Sequence, residues 1–263
     1  MQKKVFKHKF NKGKNKVSIE KNDVFHFLKA QPAGSIDLII TDPAYSGMNN
    51  HLSLGKGRIV GKYSEKGTSN GKWFEEFEDT EENYRKFLSL CKKTLKSNGH
   101  LYIMFDAFSL LSLGHIVRDF FDVKNVITWD KVNIGMGHYF RRRHEFILFA
   151  TNGNNIKIKH RSFPDVWRIK RIHRASYPTQ KPVELFDIMV SASSKPGYTV
   201  CDPFLGSGSA AISAIKYDCD FVGCDISKKA VEISQKRISE FIKTEIDCLQ
   251  NKTSVPENEK RFW

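Results

Sequence analysis

Asp42, Asp202 and Asp225 each close an apolar run, and the residues that follow them are of kinds that hold flat or ribose-bearing molecules. In Ser35-Ile-Asp-Leu-Ile-Ile-Thr-Asp-Pro-Ala-Tyr45 the run is bounded by Gly34 and Pro43 and reads as a buried parallel strand. Open α/β sheets take their ligands at the C-terminal ends of such strands, so Asp42, Pro43 and Tyr45 arrive there together. The carboxylate and the stiff Pro43 carbonyl can each accept one N–H of an exocyclic amine, while Tyr45 stacks on the ring that bears it. The same residues also suit an ordinary Asp-Pro turn with a core tyrosine, so a second motif must decide.

That motif lies in the last third. Tyr198-Thr-Val-Cys-Asp-Pro-Phe-Leu-Gly-Ser-Gly-Ser209 reads as a strand, a glycine-rich turn and the start of a helix over about 210–217. Gly206 and Gly208 let the backbone pass close to a ligand and take positive φ where the turn needs it. A second strand, Asp220 to Cys224, ends in Asp225 at the spacing of an acid that grips a ribose hydroxyl. The dinucleotide pattern G-x-G-x-x-G is broken by Ala211, and the lysine of a phosphate-binding loop is absent. The expected ligand therefore has an adenosine-like ribose and no pyrophosphate, a description that S-adenosylmethionine fits.

Elements that position these turns follow from periodicity. A short strand over 17–20 and a helix over about 23–30 precede the central strand. A helix over about 80–98 carries Tyr84, Phe87, Leu88, Cys91 and Leu95 on one face and ends at Gly99. Strands are expected over 101–105, 123–129 and 146–151, with a helix over about 108–120 between the first two. Between Ser46 and Asn70 the chain is rich in Gly, Lys and Ser with no period, either a disordered connection or a mobile loop that closes over substrate.

At 263 residues with 40% apolar content, the chain can bury one core. Its net charge of +14 points to a polyanionic partner. Residues 1–16 carry seven lysines and read either as a mobile basic arm or as a solvated tail. Over 152–177, Arg161, Arg168, Lys170, Arg171 and Arg174 alternate with Phe163 and Trp167, and Arg141, Arg142 and Arg143 form a cluster upstream. Such interleaving suits a nucleic-acid surface, and equally a solvated hairpin with two core aromatics. Five cysteines without a C-x-x-C pair imply a reducing compartment and no zinc site. Neither a signal peptide nor a membrane-spanning run is present, so a soluble, cytoplasmic protein is expected.

Three motifs occur together in one order. Asp42-Pro-Ala-Tyr45 resembles the D-P-P-Y motif of DNA amino-methyltransferases, Pro178-Thr-Gln-Lys-Pro182 resembles their P-T-Q-K-P, and Asp202-Pro-Phe-Leu-Gly-Ser-Gly208 resembles their D-P-F-x-G-S-G. The order is that of the β group, and the match covers about residues 17–242. Ala44 stands where the family has a second proline, and Ser209 where it has threonine. The resemblance implies a doubly wound, mostly parallel seven-stranded α/β sheet with one antiparallel strand, and a permuted chain order in which the strand ending at Asp225 lies beside the strand near Val17. It implies a basic arm over 1–16, a catalytic domain over 17–242 with a mobile loop over 46–78 and a small target-recognition insert over 152–176, and a tail over 243–263.

The implied roles are these. Asp42, Pro43 and Tyr45 are catalytic. Asp23, Thr179, Lys181, Asp202, Phe204, Gly206, Ser207, Gly208 and Asp225 hold S-adenosylmethionine. Arg141 to Arg143, Arg161, Arg168, Lys170, Arg171 and Arg174 meet double-stranded DNA. A homodimer and a cognate restriction endonuclease are further candidate partners, and no metal is required. The implied reaction methylates the N6 amine of a flipped-out adenine, since that atom is out of reach inside a duplex. Alternatives are cytosine N4, RNA or protein as the acceptor, or a silent DNA-binding subunit of the same fold.

Overall fold

The structure, a computed structural model, describes residues 6–43, 45, 77–135, 139–153, 156–160, 162–172, 177 and 180–249. The chain begins with β1 (Lys7–Lys12), β2 (Asn15–Lys21), α1 (Val24–Ala30), β3 (Ile36–Thr41), α2 (Glu81–Thr94) and β4 (Leu95–Phe105). There follow α3 (Ala107–Leu113), a 3₁₀ helix Gly114–Asp119, β5 (Asp122–Asp130), β6 (His144–Thr151) and β7 (Val166–Arg168). The last third holds α4 (Val183–Ser193), β8 (Thr199–Asp202), α5 (Ser209–Lys216), β9 (Asp220–Asp225) and α6 (Lys228–Thr244).

Among the described residues the strands form one nine-stranded sheet in the order β1-β2-β9-β8-β3-β4-β6-β5-β7. The central β3 is buried at every position and pairs in parallel with β4 and β8, as its largely apolar run implies. Alternation then divides the core. Leu38, Ile40, Tyr102 and Met104 face one layer with α4, α5 and α6, while Ile39, Leu101, Ile103 and Phe105 face the other with α1, α2 and α3. Asp23 caps α1 by accepting N–H groups from Phe25 and His26, and Thr80 caps α2.

Seven of the strands match the expected sheet. β6 is antiparallel to β4 and β5, and β9 lies in parallel beside β2. The other two are additions, one at each edge. Residues 7–16, expected as a mobile arm or tail, form a hairpin in which β1 pairs antiparallel with β2 through a tight turn at Gly13, where φ is +59°. His8 and Phe10 alternate there with lysines, a period of two concealed by the charge density. β7, inside the stretch 152–176, adds in parallel to β5.

Gly99 does not end a helix. α2 stops at Thr94, and Gly99 lies within β4, where a Cβ would come within 2.6 Å of the Leu95 side chain and 3.0 Å of the Asp37 carbonyl. Its small size serves strand packing rather than a C-cap. The helix expected over 108–120 is likewise split into α3 and the 3₁₀ turn. The folded body also runs past residue 242, because Asp247 and Leu249 bond back to Arg237 and Gln180. No described helix is long and apolar enough to cross a membrane.

Candidate active site

Three parallel strands deliver acids to one end of the sheet. Asp202 and Asp225 are the last residues of β8 and β9, and Asp42 follows β3. Asp202, on the middle strand, feels the charges of both Asp42 and Asp225. Burial first, then the facing Asp42 and Asp225, push the Asp202 carboxyl up to about 8, although Phe204 N–H donates to it at 3.0 Å. Burial also raises Asp42, against the opposing pull of Lys181. Lys181 Nζ hydrogen-bonds Asp42 Oδ2 and stands 3.5 Å from Glu145 Oε2, and Glu145 Oε1 accepts from Lys131 Nζ at 3.0 Å. Two of these partners, Glu145 and Lys131, escape the motif reading. Their signal is charge at the site end of β6 and β5, beside apolar runs.

The turn after β8 is held from several sides. Gly206 and Gly208 have φ of +50° and +78°, values costly for any residue with a Cβ. Asp225 Oδ2 accepts from Gly206 N–H at 2.9 Å and Oδ1 from Ser227 N–H at 2.8 Å. Ser209 Oγ donates to the Lys181 carbonyl at 2.8 Å, which ties the turn to the Gln-Lys-Pro segment. Arg237, fully buried, donates from Nη1 to the Ser207 carbonyl at 2.8 Å and to Ser209 Oγ at 3.0 Å. Its other nitrogens form a fork on Asp247 at 2.8 and 2.6 Å. Sequence reading missed Arg237. It sits on the stripe Ala230, Val231, Ser234, Ile238 and Phe241, and a cation on a buried helix face was the available signal.

Other expected residues fall less simply. The Pro43 carbonyl already accepts from Tyr45 N–H at 3.0 Å, which leaves its second lone pair. Tyr45 is buried and stacks on Phe105 at 5.3 Å, so one ring face is taken by the core. Phe77, near the end of the expected loop, bridges to Tyr45 and packs with Phe87 and Phe204. The two ends of that loop therefore meet beside the site, while residues 46–76 lie outside the described residues, as do Ala44 and Thr179. Asp23 spends its carboxylate on the α1 cap and on His26. Its neighbour Asn22 donates backbone N–H to the Asp225 carbonyl at 3.1 Å, so this segment borders the site.

The basic clusters meet at the edge of the same end. Arg168 pairs in register with Asp130, and Arg143 forms a fork on that same Asp130, whose carboxyl falls to about 2 chiefly through this hydrogen bonding. Arg143 is thus paired with Asp130, while Arg141, Arg168 and Lys170 are exposed beside it and Arg168 adds its charge to the field on the same Asp130. Arg142 lies 4.5 Å above the Phe108 ring and Arg171 is half-buried. Arg161 and Arg174 are outside the described residues. Trp167 is not free to stack on a base, because it is a core residue whose Nε1 donates to the Pro164 carbonyl at 2.8 Å. The fully exposed rings at the edge are instead Tyr139 and Phe140, next to Arg141.

Chemically, the end of the sheet is an acidic floor in which the ammonium groups of Lys181 and Lys131 are embedded beside Asp42 and Glu145. The Asp202 carboxyl is poorly compensated, and a cationic group beside it would relieve the cost. The positive-φ turn lets a ligand approach the backbone there. These features fit a sulfonium-bearing cofactor such as S-adenosylmethionine.

Comparison with known proteins agrees. The family model for DNA methylases of the N6/N4 type matches residues 36–236. The Type II methyltransferase M2.DpnII of Streptococcus pneumoniae is 31% identical over 249 residues, covering 86% of this chain and 90% of that protein. The solved M1.HpyAVI–SAM complex superposes with a TM-score of 0.58 at 19% identity, over 84% of this chain and 99% of that one. The cytosine-N4-specific PvuII DNA methyltransferase gives a TM-score of 0.62 at 12% identity, over 86% and 91%. The last two share the fold with this chain. It is the match over more than half the sequence, together with the relative above 30%, that shows the family: the chain belongs to the N6/N4 DNA methylases.

Proposed function

We propose that the chain is a site-specific DNA methyltransferase that uses S-adenosylmethionine to methylate the N6 amine of an adenine flipped out of double-stranded DNA. The observation that carries the reading is the juxtaposition of Asp42 with Asp202, Asp225 and the positive-φ turn at the ends of adjacent strands. Asp42 takes one amine hydrogen, and the second lone pair of the Pro43 carbonyl takes the other. With both hydrogens held, the nitrogen lone pair is drawn out of conjugation with the ring and faces the cofactor side. Bound S-adenosylmethionine supplies an activated methyl on a sulfonium. Placement and pre-aimed acceptors then provide most of the rate. Asp202, Asp225, Phe204 and the Gly206–Gly208 turn form the cofactor side, and Arg237 holds that turn in shape.

Asp42 in the first motif position favours adenine, since the cytosine-N4 enzymes that the motif resembles usually have serine there. Arg141, Arg142, Arg168 and Lys170 form the surface offered to phosphates. M2.DpnII is named a Type II methyltransferase, which supports a place beside a cognate restriction endonuclease. A homodimer is part of the same reading and is checked by light scattering. The decisive assay incubates the chain with methyl-labelled S-adenosylmethionine and bulk DNA, then hydrolyses the DNA to nucleosides. Label in N6-methyladenine is expected, and label in N4-methylcytosine or in no base refutes the assignment.

A further inference from the structure

Four side chains of alternating charge cross the end of the sheet: Asp42 after β3, Lys181 ahead of α4, Glu145 on β6 and Lys131 after β5. Lys181 is 13% exposed at its side chain and touches both acids, with its ammonium on Asp42 and 3.5 Å from Glu145. The motif reading gave Lys181 to the cofactor, yet its ammonium occupies the carboxylate that the proposed reaction needs.

That position poses a chemical problem. An ammonium that donates to Asp42 competes with the incoming amine for the same acceptor. It also sets a positive charge next to a nitrogen that becomes positive as the N–C bond forms and the S–C bond breaks, which opposes the transition state. Removing the lysine has a cost too. Burial raises the Asp42 carboxyl, the like charges of Glu145 and Asp106 raise it further, and Lys181 is the cation that opposes them, so losing the lysine moves Asp42 toward the protonated form, which is a poorer acceptor. Asp202, Tyr177 and Tyr45 are the other titratable groups that feel its charge among the described residues.

Building on the assignment of Asp42 as an amine acceptor, we propose that Lys181 is a positioning residue, holding Asp42 ionised in the empty site and passing to Glu145 when the target amine arrives. Glu145 is built to receive it. Burial alone would raise its carboxyl, but Lys181 and Lys131 together bring it below the ordinary value, so it stays ionised. Lys181 has a flexible stem and three donors, and its ammonium needs only rotation about its terminal bonds to turn from one acid to the other. No proton moves and no covalent bond changes in the transfer. The ammonium would then sit on the far side of Glu145 from Lys131, away from the reacting nitrogen.

The test uses three variants of the full chain. In Lys181→Met the acid limb of the kcat–pH profile should move to higher pH, so that kcat falls most at the acid end of the range and part of the loss is recovered as pH rises. In Glu145→Gln the limb should stay in place while kcat falls at least tenfold across the range, because the lysine has nowhere to go. Lys181→Arg should keep the limb of the wild type. A purely structural lysine would lower kcat evenly and leave the limb unmoved, and that result overturns the proposal. A readout independent of turnover is the carbonyl ¹³C titration of Asp42 in protein with labelled aspartate, without cofactor or DNA. Its midpoint should rise in Lys181→Met, and an unchanged midpoint overturns the proposal even where wild-type methylation proves that Asp42 is correctly assigned. If the midpoint rises but the chain transfers no methyl to DNA, the assignment of Asp42 falls and the hand-over falls with it.

Discussion

Asp247→Ala should unsettle the cofactor turn from a distance. Asp247 lies beyond α6, yet it is the counterion of Arg237, whose side chain is fully buried and whose fork on Asp247 is made at 2.8 and 2.6 Å. Removing one partner of a buried ion pair strands the other charge and costs about 3 to 5 kcal/mol. For a chain of this size each kcal/mol lowers Tm by about 2 to 4 °C, so a fall of roughly 6 to 20 °C is expected. Cofactor affinity should drop as well, because the same guanidinium holds the Ser207 carbonyl and Ser209 Oγ on either side of Gly208. The double variant Arg237→Met, Asp247→Leu removes both charges and should recover most of the loss. It still leaves the Ser207 carbonyl without its donor, an unmet acceptor worth about 1 to 3 kcal/mol. Urea denaturation followed by tryptophan fluorescence, paired with calorimetric titration of S-adenosylmethionine, reads both effects. A single variant within 1 kcal/mol of wild type, or a double variant no more stable than the single, would refute the brace.

The other predictions concern charge. His100 is buried with neither ring nitrogen bonded, and burial lowers it to about 4. Its folded value lies below its unfolded value of about 6.5, so the unfolded chain binds the extra proton and stability falls as pH drops from about 6.5 to 4. The loss is about 3 kcal/mol in all, and His100→Leu should flatten that part of the stability–pH curve measured by urea titration. Cofactor binding at pH 7 should release protons as the Asp202 carboxyl, held up to about 8, ionises beside a cation. Calorimetry in buffers of differing ionisation enthalpy should show less release for Asp202→Asn than for wild type, and equal release removes Asp202 from the cation's side. Neutralising Arg141, Arg142, Arg168 and Lys170 together should flatten the salt dependence of DNA binding by about 0.9 in log–log slope per contact. An unchanged slope with intact cofactor binding means that this edge does not face DNA.

The centre of the sheet could be read from the sequence because β3 and β8 are mostly apolar runs that lead into Asp-Pro, and the single charge inside β3, Asp37, does not hide the run. The edges could not be read. β1 hides its alternation under lysines, and the three residues of β7 gain strand geometry only by docking on β5. Gly99 misled for a physical reason, since a glycine serves a close backbone approach inside a strand as well as it ends a helix.

In the site, the motifs placed the acids and the turn correctly at one end of the sheet. They said nothing about what holds them there. Arg237, Glu145 and Lys131 act through contacts between segments far apart in sequence, and such pairings carry no local period. Trp167 shows the reverse limit. Alternation with arginines suited a stacking ring and a core aromatic equally, and the structure spends the indole on the core.

The central claim is that Asp42 acts on the target amine while cofactor binding depends on the turn and its neighbouring acids. Its most direct test is a single-turnover experiment with Asp42→Ala and wild type on the same DNA, with the products resolved by mass spectrometry. S-adenosylmethionine affinity should match in the two proteins, while the rate of N6-methyladenine formation should fall by about 100- to 1000-fold or more, the typical loss when a pre-placed polar group is removed from a dry site. Comparable methylation by the variant, or a cofactor affinity lost in step with the rate, would contradict the account.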